Sequence, residues 1–314
     1  LHTQYEQTIR EEYCCLHDPL TGQSREALEH SLPLEGNGGS WRVHDLSDLI
    51  HHAYMRGLLC EAPGEYTQPC NILLTAPAGS GKSTVLAQLT QITFEQRQLV
   101  PILIRVSTLQ RRLSVGGPQI KERFARSWNW VDAEIRCQCE ERPGWAGYYP
   151  MLRQAMMARR TLLLIDGVDE GGKDGEERMH RHIVEVLRLQ GHPMIVTSRP
   201  EAASAHEWPT AFSRMTMKPL GVGDQQELLR TWLLVSDTVG TADRSSAALD
   251  GTHRSPTALL KYADVHLKSF GGVVSHPMML TILASLFEMQ GGDVRLLPPT
   301  VAEIYDLATS LVFE

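Results

Sequence analysis

The sequence predicts an α/β fold: a parallel sheet of about five strands flanked by helices, followed by a small all-helical domain. Three observations predict it. Short apolar runs alternate with helix-length segments between residues 71 and 220, as buried parallel strands and their crossovers do. A glycine-rich turn, Ala76-Pro77-Ala78-Gly79-Ser80-Gly81-Lys82-Ser83-Thr84, joins the first run to the first helix. After Leu220 the runs stop and only helical spacing remains.

Each element follows in order. Residues 1–35 read as polar helix and loop, and GNGGS around 37–40 breaks the chain. Trp41 to Leu59 has apolar residues at helical spacing, and EAPGEYTQPC (61–70) reads as a loop. Asn71–Ala76 is a strand bounded by Pro69 and Pro77, and Ser83–Gln98 is a helix. Leu99–Thr108 reads as a second strand, Leu109–Gln138 as mixed and mostly helical, and Met151–Arg160 as a helix. Thr161–Asp166 is a third strand. Glu176–Gln190 is a helix with Ile183, Val184, Val186 and Leu187 on one side. Pro193–Ser198 and Arg214–Leu220 complete the strands. Gln225–Leu234, Ser255–Phe270, Pro277–Gln290 and Thr300–Phe313 are helices. The expected divisions are an N-terminal helical or linker segment at 1–66, the α/β domain at 67–220 and the helical domain at 221–314.

Composition narrows the function. The 314 residues suggest about two domains at ~150 residues each. Thirty Lys and Arg against 37 Asp and Glu give a net charge of −7, which argues against a dedicated nucleic-acid binder. The longest apolar-rich run, Met278–Phe287, falls short of the ~20 residues a spanning helix needs. The first residues are polar and unlike a signal peptide, so a cytoplasmic location is expected. The chain starts at Leu1 and ends in helix-like LVFE, and it reads as a segment of a longer protein. The six cysteines form no CxxC pair, and Cys137-Gln-Cys139 reads as reduced thiols. His51 and His52 are adjacent on a helix and do not converge on a metal. Trp128, Trp130 and Trp145 flank an Arg-bearing stretch, an arrangement that stacks nucleic acid in some proteins. Glu134, Glu140 and Glu141 dilute that charge and favour a packed insert.

The turn at 76–84 carries phosphate chemistry. Gly79 and Gly81 let the backbone bend so that several amides point at one anion. The helix that follows adds its positive end. Lys82 neutralises β- and γ-phosphate charge, and the Ser83 hydroxyl suits Mg²⁺. Ala76 stands where the strict phosphate-loop pattern has Gly. This pattern makes the α/β domain a P-loop NTPase sheet.

A second motif, Leu162-Leu-Leu-Ile-Asp166-Gly-Val-Asp169-Glu170, delivers Asp166 to the carboxyl end of a buried strand. A carboxylate there can hold the Mg²⁺ shell opposite Ser83. Asp169 or Glu170 can align the attacking water, and spacing does not choose between them. A third, Met194-Ile-Val-Thr-Ser-Arg199-Pro200, ends the next strand with a hydroxyl pair and an arginine. It brings Arg199 to the same edge, within reach of a γ-phosphate.

APAGSGKS, LLLIDGVDE and IVTSRP, in that order, resemble the NACHT family of signal-transduction NTPases over roughly residues 65–290. The resemblance implies a nucleotide-binding domain followed by a helical domain whose proline packs beside adenine. His276-Pro277-Met278-Met279-Leu280 is similar to that motif, so Pro277 is the candidate. It also implies a switch between ADP and ATP states, slow hydrolysis, self-association and contacts with other domains of the same protein. The family's winged-helix domain is expected beyond Phe313. The guanine motif [NT]KxD is missing: Leu260-Lys-Tyr-Ala-Asp264 lacks its Asn or Thr, which favours ATP. The rival readings are an AAA-type motor ATPase, a nucleotide-binding scaffold without significant hydrolysis, and a small-molecule kinase.

Overall fold

The computed structural model describes all residues except 19, 22–23, 27–31, 37–38, 60–69, 240–255, 267–271 and 314. Helix α1 (His2–Tyr13) leads into four short strands, β1 (Cys15–His17), β2 (Ser24–Glu26), β3 (Leu34–Gly36) and β4 (Gly39–Trp41), and then α2 (Val43–Leu59). The alternating region begins with β5 (Asn71–Thr75), α3 (Lys82–Gln96), β6 (Val100–Arg105), α4 (Val106–Val115), α5 (Pro118–Arg126), α6 (Trp130–Glu141) and α7 (Tyr148–Met157). It continues with β7 (Thr161–Asp166), α8 (Gly172–His182), β8 (Met194–Ser198), α9 (Pro200–Ser204) and β9 (Phe212–Met217). Helices α10 (Val222–Val239), α11 (Pro256–His266), α12 (Pro277–Met289) and α13 (Val301–Phe313) follow.

The chain forms two compact units. The first holds Leu1–Cys14, Leu34–Ala78 and Lys82–Met217. Its seven-stranded sheet has the order β4-β3-β9-β5-β8-β7-β6. The five strands from β9 to β6 are mutually parallel. They are buried because crossover helices cover both faces: every residue of β8 is buried, as are the first four of β5 and the first five of β7. Phe94 of α3, Tyr5 of α1, Leu152 of α7 and Met179 of α8 share one apolar core with Ile102, Ile104, Leu163 and Val196 of the strands. The Tyr5 hydroxyl donates to the Pro101 carbonyl at 2.9 Å, which satisfies a phenol that burial would otherwise leave without water.

The sheet carries two strands beyond the five expected. β3 runs antiparallel to β9, with Leu34 opposite Met217, and β4 returns antiparallel to β3. Three-residue strands beside GNGG leave no period-2 pattern, so this stretch reads as a break. The strand expected at Leu99–Thr108 stops at Arg105, and α4 begins at Val106. Arg105 pairs with Asp166, the last residue of β7, so the ladder ends there while the apolar run continues into a helix. The helix expected at Glu176–Gln190 begins earlier, at Gly172, and widens into a π turn at Ile183–Leu187. The Arg188 N–H there donates to the Ile183 carbonyl at 2.9 Å. The mixed stretch after Leu109 resolves into the end of α4, then α5 and α6. The loop read at 61–70 lies outside the described residues except for Cys70, as do Ser255 and residues 267–270 of a predicted helix.

The second unit holds Cys15–Pro33, Gly79–Gly81 and Lys218–Glu314. Its helices are α10 to α13. An antiparallel hairpin of β1 and β2, with Cys15 opposite Glu26, joins them. The buried Asp18 carboxylate accepts from Ser285 Oγ at 2.7 Å, Thr21 Oγ1 at 2.6 Å and the Leu20 N–H at 3.0 Å. Burial alone would raise its pKa; these bonds outweigh that and hold it below the usual carboxylate value. Trp232 Nε1 donates to Ser285 Oγ at 3.2 Å. Among the described residues, no helix is long and apolar enough to cross a membrane.

Candidate functional site

Strands β5, β7 and β8 lie side by side, and their carboxyl ends place Ala76, Asp166 and Arg199, one residue from each of the three motifs, on one edge of the first unit. The phosphate loop runs from Ala76, buried just after β5, to Lys82, the first residue of α3. The Ala76 N–H donates to the Ser198 carbonyl at 3.3 Å, which ties the loop's start to β8. Gly79 and Gly81 have φ of +72° and +93°, conformations that L side chains rarely adopt. Ser80 is buried, Pro77 and Ala78 are exposed, and Thr84 is half-buried in the first turn of α3. The first amides of α3 lack intrahelical partners, which suits an anion.

The Lys82 ammonium donates to the carbonyls of Ala76 at 2.7 Å and Pro77 at 3.0 Å. Burial holds its pKa below the ordinary lysine value. Arg199 adds to that effect, while Asp169, Asp166 and Glu170 oppose it. Ser83 Oγ donates to Asp166 Oδ2 at 2.7 Å. Asp166 is the last residue of β7, so a hydroxyl and a carboxylate from neighbouring elements converge. Thr197 Oγ1 donates to the other carboxylate oxygen, Asp166 Oδ1, at 2.8 Å.

After Asp166 the chain turns through Gly167 at φ +72°, ψ 60°, into a short 3-10 turn at Val168–Gly171. The Glu170 N–H closes this turn onto the Gly167 carbonyl at 2.9 Å. A Cβ at Gly167 would lie 2.7 Å from Glu170 Cδ and push that exposed side chain aside, while the left-handed φ is what favours glycine here. Asp169 points the other way. Its Oδ1 accepts the Arg199 backbone N–H at 3.1 Å and its Oδ2 pairs with Arg199 Nε at 3.0 Å. Asp169 is nearly buried at 9% side-chain exposure, while Arg199 is 54% exposed. The Glu170 carboxylate is exposed and makes no hydrogen bond or ion pair among the described residues.

The first unit thus brings together Ala76, Lys82, Ser83, Asp166, Asp169, Glu170 and Arg199. Pro277 stands in the second unit, in the first turn of α12 after His276. Sequence reading missed the role of Thr197, although it noted the hydroxyl pair ahead of Arg199. Among the described residues, no cluster of three or more His, Cys, Asp or Glu forms a metal cage. Cys137 and Cys139 are buried free thiols whose pKa values burial pushes up, Cys139 to about 11. Trp130 stacks on His182 at 4.4 Å, and Arg142 lies over the Trp145 ring at 4.4 Å, so both rings pack inside the unit.

The donor set at the edge fits magnesium. Mg²⁺ takes oxygen ligands, keeps several waters and is bound through one or two carboxylates plus substrate phosphates. Ser83 and Asp166 offer such oxygens beside a loop whose amides and Lys82 suit phosphate.

A parallel sheet with a phosphate loop after one strand and an acidic residue ending another defines a P-loop NTPase. The NACHT domain profile matches residues 71–234, just over half the chain, and the chain belongs to the NACHT family. No curated protein sequence matches it. Among solved structures it is similar to C. elegans PCH-2, with 12% identity, 79% of this chain and 68% of that chain covered, and a TM-score of 0.39. It is also similar to domain III of the Thermotoga maritima replication initiation protein DnaA, with 16% identity, coverage of 74% and 90%, and a TM-score of 0.36. The Aeropyrum pernix ORC1 protein in complex with DNA has 14% identity, coverage of 85% and 63%, and a TM-score of 0.42.

Proposed function

We propose that the chain binds Mg-ATP, hydrolyses it slowly and acts as a nucleotide-dependent switch within a larger signalling protein. The observation that carries this reading is the 2.7 Å approach of Ser83 Oγ to Asp166 Oδ2 beside Lys82. Residues 76–84 hold the phosphates. Lys82 neutralises their charge, and Ser83 and Asp166 hold the metal, partly through water. Bound Mg²⁺ supplies charge neutralisation on the β- and γ-phosphates.

The geometry favours Glu170 over Asp169 as the residue that aligns the attacking water. Both Asp169 oxygens are engaged by Arg199. The exposed Glu170 carboxylate keeps its acceptor capacity for a water proton. Asp169 then serves by holding Arg199, which reads the γ-phosphate. Pro277 contacts the adenine, and exchange of ADP for ATP reorients the helical domain toward a self-associating state. The partners in this reading are the nucleotide, further copies of the protein and other domains of the longer chain, in the cytoplasm.

The test is Lys82→Ala, assayed for ATP affinity by calorimetry with folding checked by circular dichroism. A folded variant that no longer binds ATP supports the reading. A variant with wild-type ATP affinity would falsify the site assignment.

A further inference from the structure

We propose that Thr197 is a positioning residue for the metal: it holds the Asp166 carboxylate turned toward Ser83. The inference rests on the nucleotide reading above and extends it to a residue outside the three motifs' charged and glycine positions.

Proton accounting sets the direction of each bond. A threonine hydroxyl has one proton to give and lone pairs to accept with. The Gly167 N–H has no other role than donor, and it points at Thr197 Oγ1 from 2.8 Å. The Asp166 Oδ1 atom, also 2.8 Å away, therefore receives the hydroxyl proton. Ser83 donates to Oδ2 from the other side. The carboxylate is held at both oxygens, and Thr197 forms the fixed inner clamp. Thr197 has no exposure to solvent, so water cannot replace its hydroxyl.

The register explains why a side chain does this work. β7 and β8 pair as Leu163 with Met194, Leu164 with Ile195 and Ile165 with Val196. The next step would set Asp166 against Thr197, and there the described pairing stops. The chain leaves β7 through the left-handed Gly167. Thr197 spans the splayed end with two side-chain bonds in place of the ladder. One fixes the backbone after Asp166 and the other fixes its carboxylate. Carboxylates that ligate metals are oriented by such hydrogen bonds, and losing one weakens metal binding about 10- to 100-fold.

The experiment measures binding rather than turnover. A fluorescent ATP analogue is titrated into wild type, Thr197→Ser, Thr197→Cys and Thr197→Val, in EDTA and across a Mg²⁺ series, with melting curves for each. The expected result has three parts. Affinity in EDTA is the same in all folded variants. Thr197→Ser needs the same Mg²⁺ as wild type for half-maximal effect. Thr197→Val needs about tenfold more or beyond, with the weak donor of Thr197→Cys between them.

A Thr197→Val protein with the wild-type Mg²⁺ dependence overturns the proposal. So does one that loses affinity equally with and without Mg²⁺, because that marks a merely structural role. If Thr197→Val does not fold, the order of Thr, Ser and Cys decides: equal Mg²⁺ dependence in all three overturns it. A wild type that binds no analogue, or binds it without regard to Mg²⁺, sinks the nucleotide–metal reading first and the positioning role with it.

Discussion

Asp169 grips Arg199 twice, taking its backbone N–H at 3.1 Å and its Nε at 3.0 Å with different carboxylate oxygens. One side chain thereby fixes both the backbone and the guanidinium of the residue that follows β8. The Nε edge of the fork is occupied, and the remaining donors of the half-exposed guanidinium are not used by Asp169. If Arg199 reads the γ-phosphate, Asp169 and Arg199 act as a unit. Asp169→Asn and Arg199→Ala should each lower the preference for ATP over ADP. The double variant should be no worse than Arg199→Ala alone, because coupled residues are not additive. Calorimetric affinities for both nucleotides check this; fully additive losses would separate the two residues.

Glu170 carries the water-aligning role in this account. Glu170→Gln should keep ATP affinity and lose hydrolysis by about 10²- to 10⁴-fold. Asp169→Asn should lose less, since its carboxylate holds an arginine and not a water. Single-turnover hydrolysis with both variants ranks them. The reverse order would assign the water to Asp169.

The phosphate loop depends on a left-handed glycine at 81, where φ is +93°. An alanine there is strained whatever space surrounds it, at a cost of about 1–3 kcal/mol. Gly81→Ala should lower the melting temperature and weaken nucleotide binding together. Melting in the presence and absence of nucleotide measures both effects. An unchanged protein would mean that the loop relaxes at no cost.

Two histidines in the first unit are kept neutral by burial. His182 and His192 have pKa values pushed down to about 4, with Arg159 adding to the effect at His192. His182 Nε2 accepts the Trp130 N–H at 3.0 Å, a role open only to the neutral ring. The unfolded chain protonates these rings near 6.5, above the folded value. Their contribution is therefore full above that pH and is lost as pH falls toward about 4. The loss is up to about 3 kcal/mol per ring. Melting followed between those limits should show a decline in wild type. The decline should flatten in the double variant His182→Gln, His192→Asn, which keeps hydrogen-bonding atoms near the same positions without titrating. Parallel curves would assign the decline to other groups.

Most of the sheet was legible because burial on both faces writes a continuous apolar run. TLLLID is the clearest case, and the strand occupies those six residues, Thr161–Asp166. The candidate site was legible for a related reason: glycine, lysine and aspartate stand out against the apolar strands that precede them. The strands β3 and β4 were not, because three residues are too few for a period and their partners lie far along the chain. The end of β6 was hidden because Val106 is as apolar as the strand before it and is buried in the same core. The choice between Asp169 and Glu170 needed tertiary structure, since adjacent carboxylates differ only in where the 3-10 turn aims them. Thr197 was visible as a hydroxyl but not as a clamp, because its bonds reach back 30 and 31 residues.

The central claim is that this sheet edge holds a nucleotide. The most direct measurement is the nucleotide carried by the purified chain, released with acid and identified by chromatography. The account predicts on the order of one adenine nucleotide per chain, chiefly ADP, the product of a slow site that keeps what it makes. A chain that carries none, and that binds no added ATP in the presence of Mg²⁺, would contradict it.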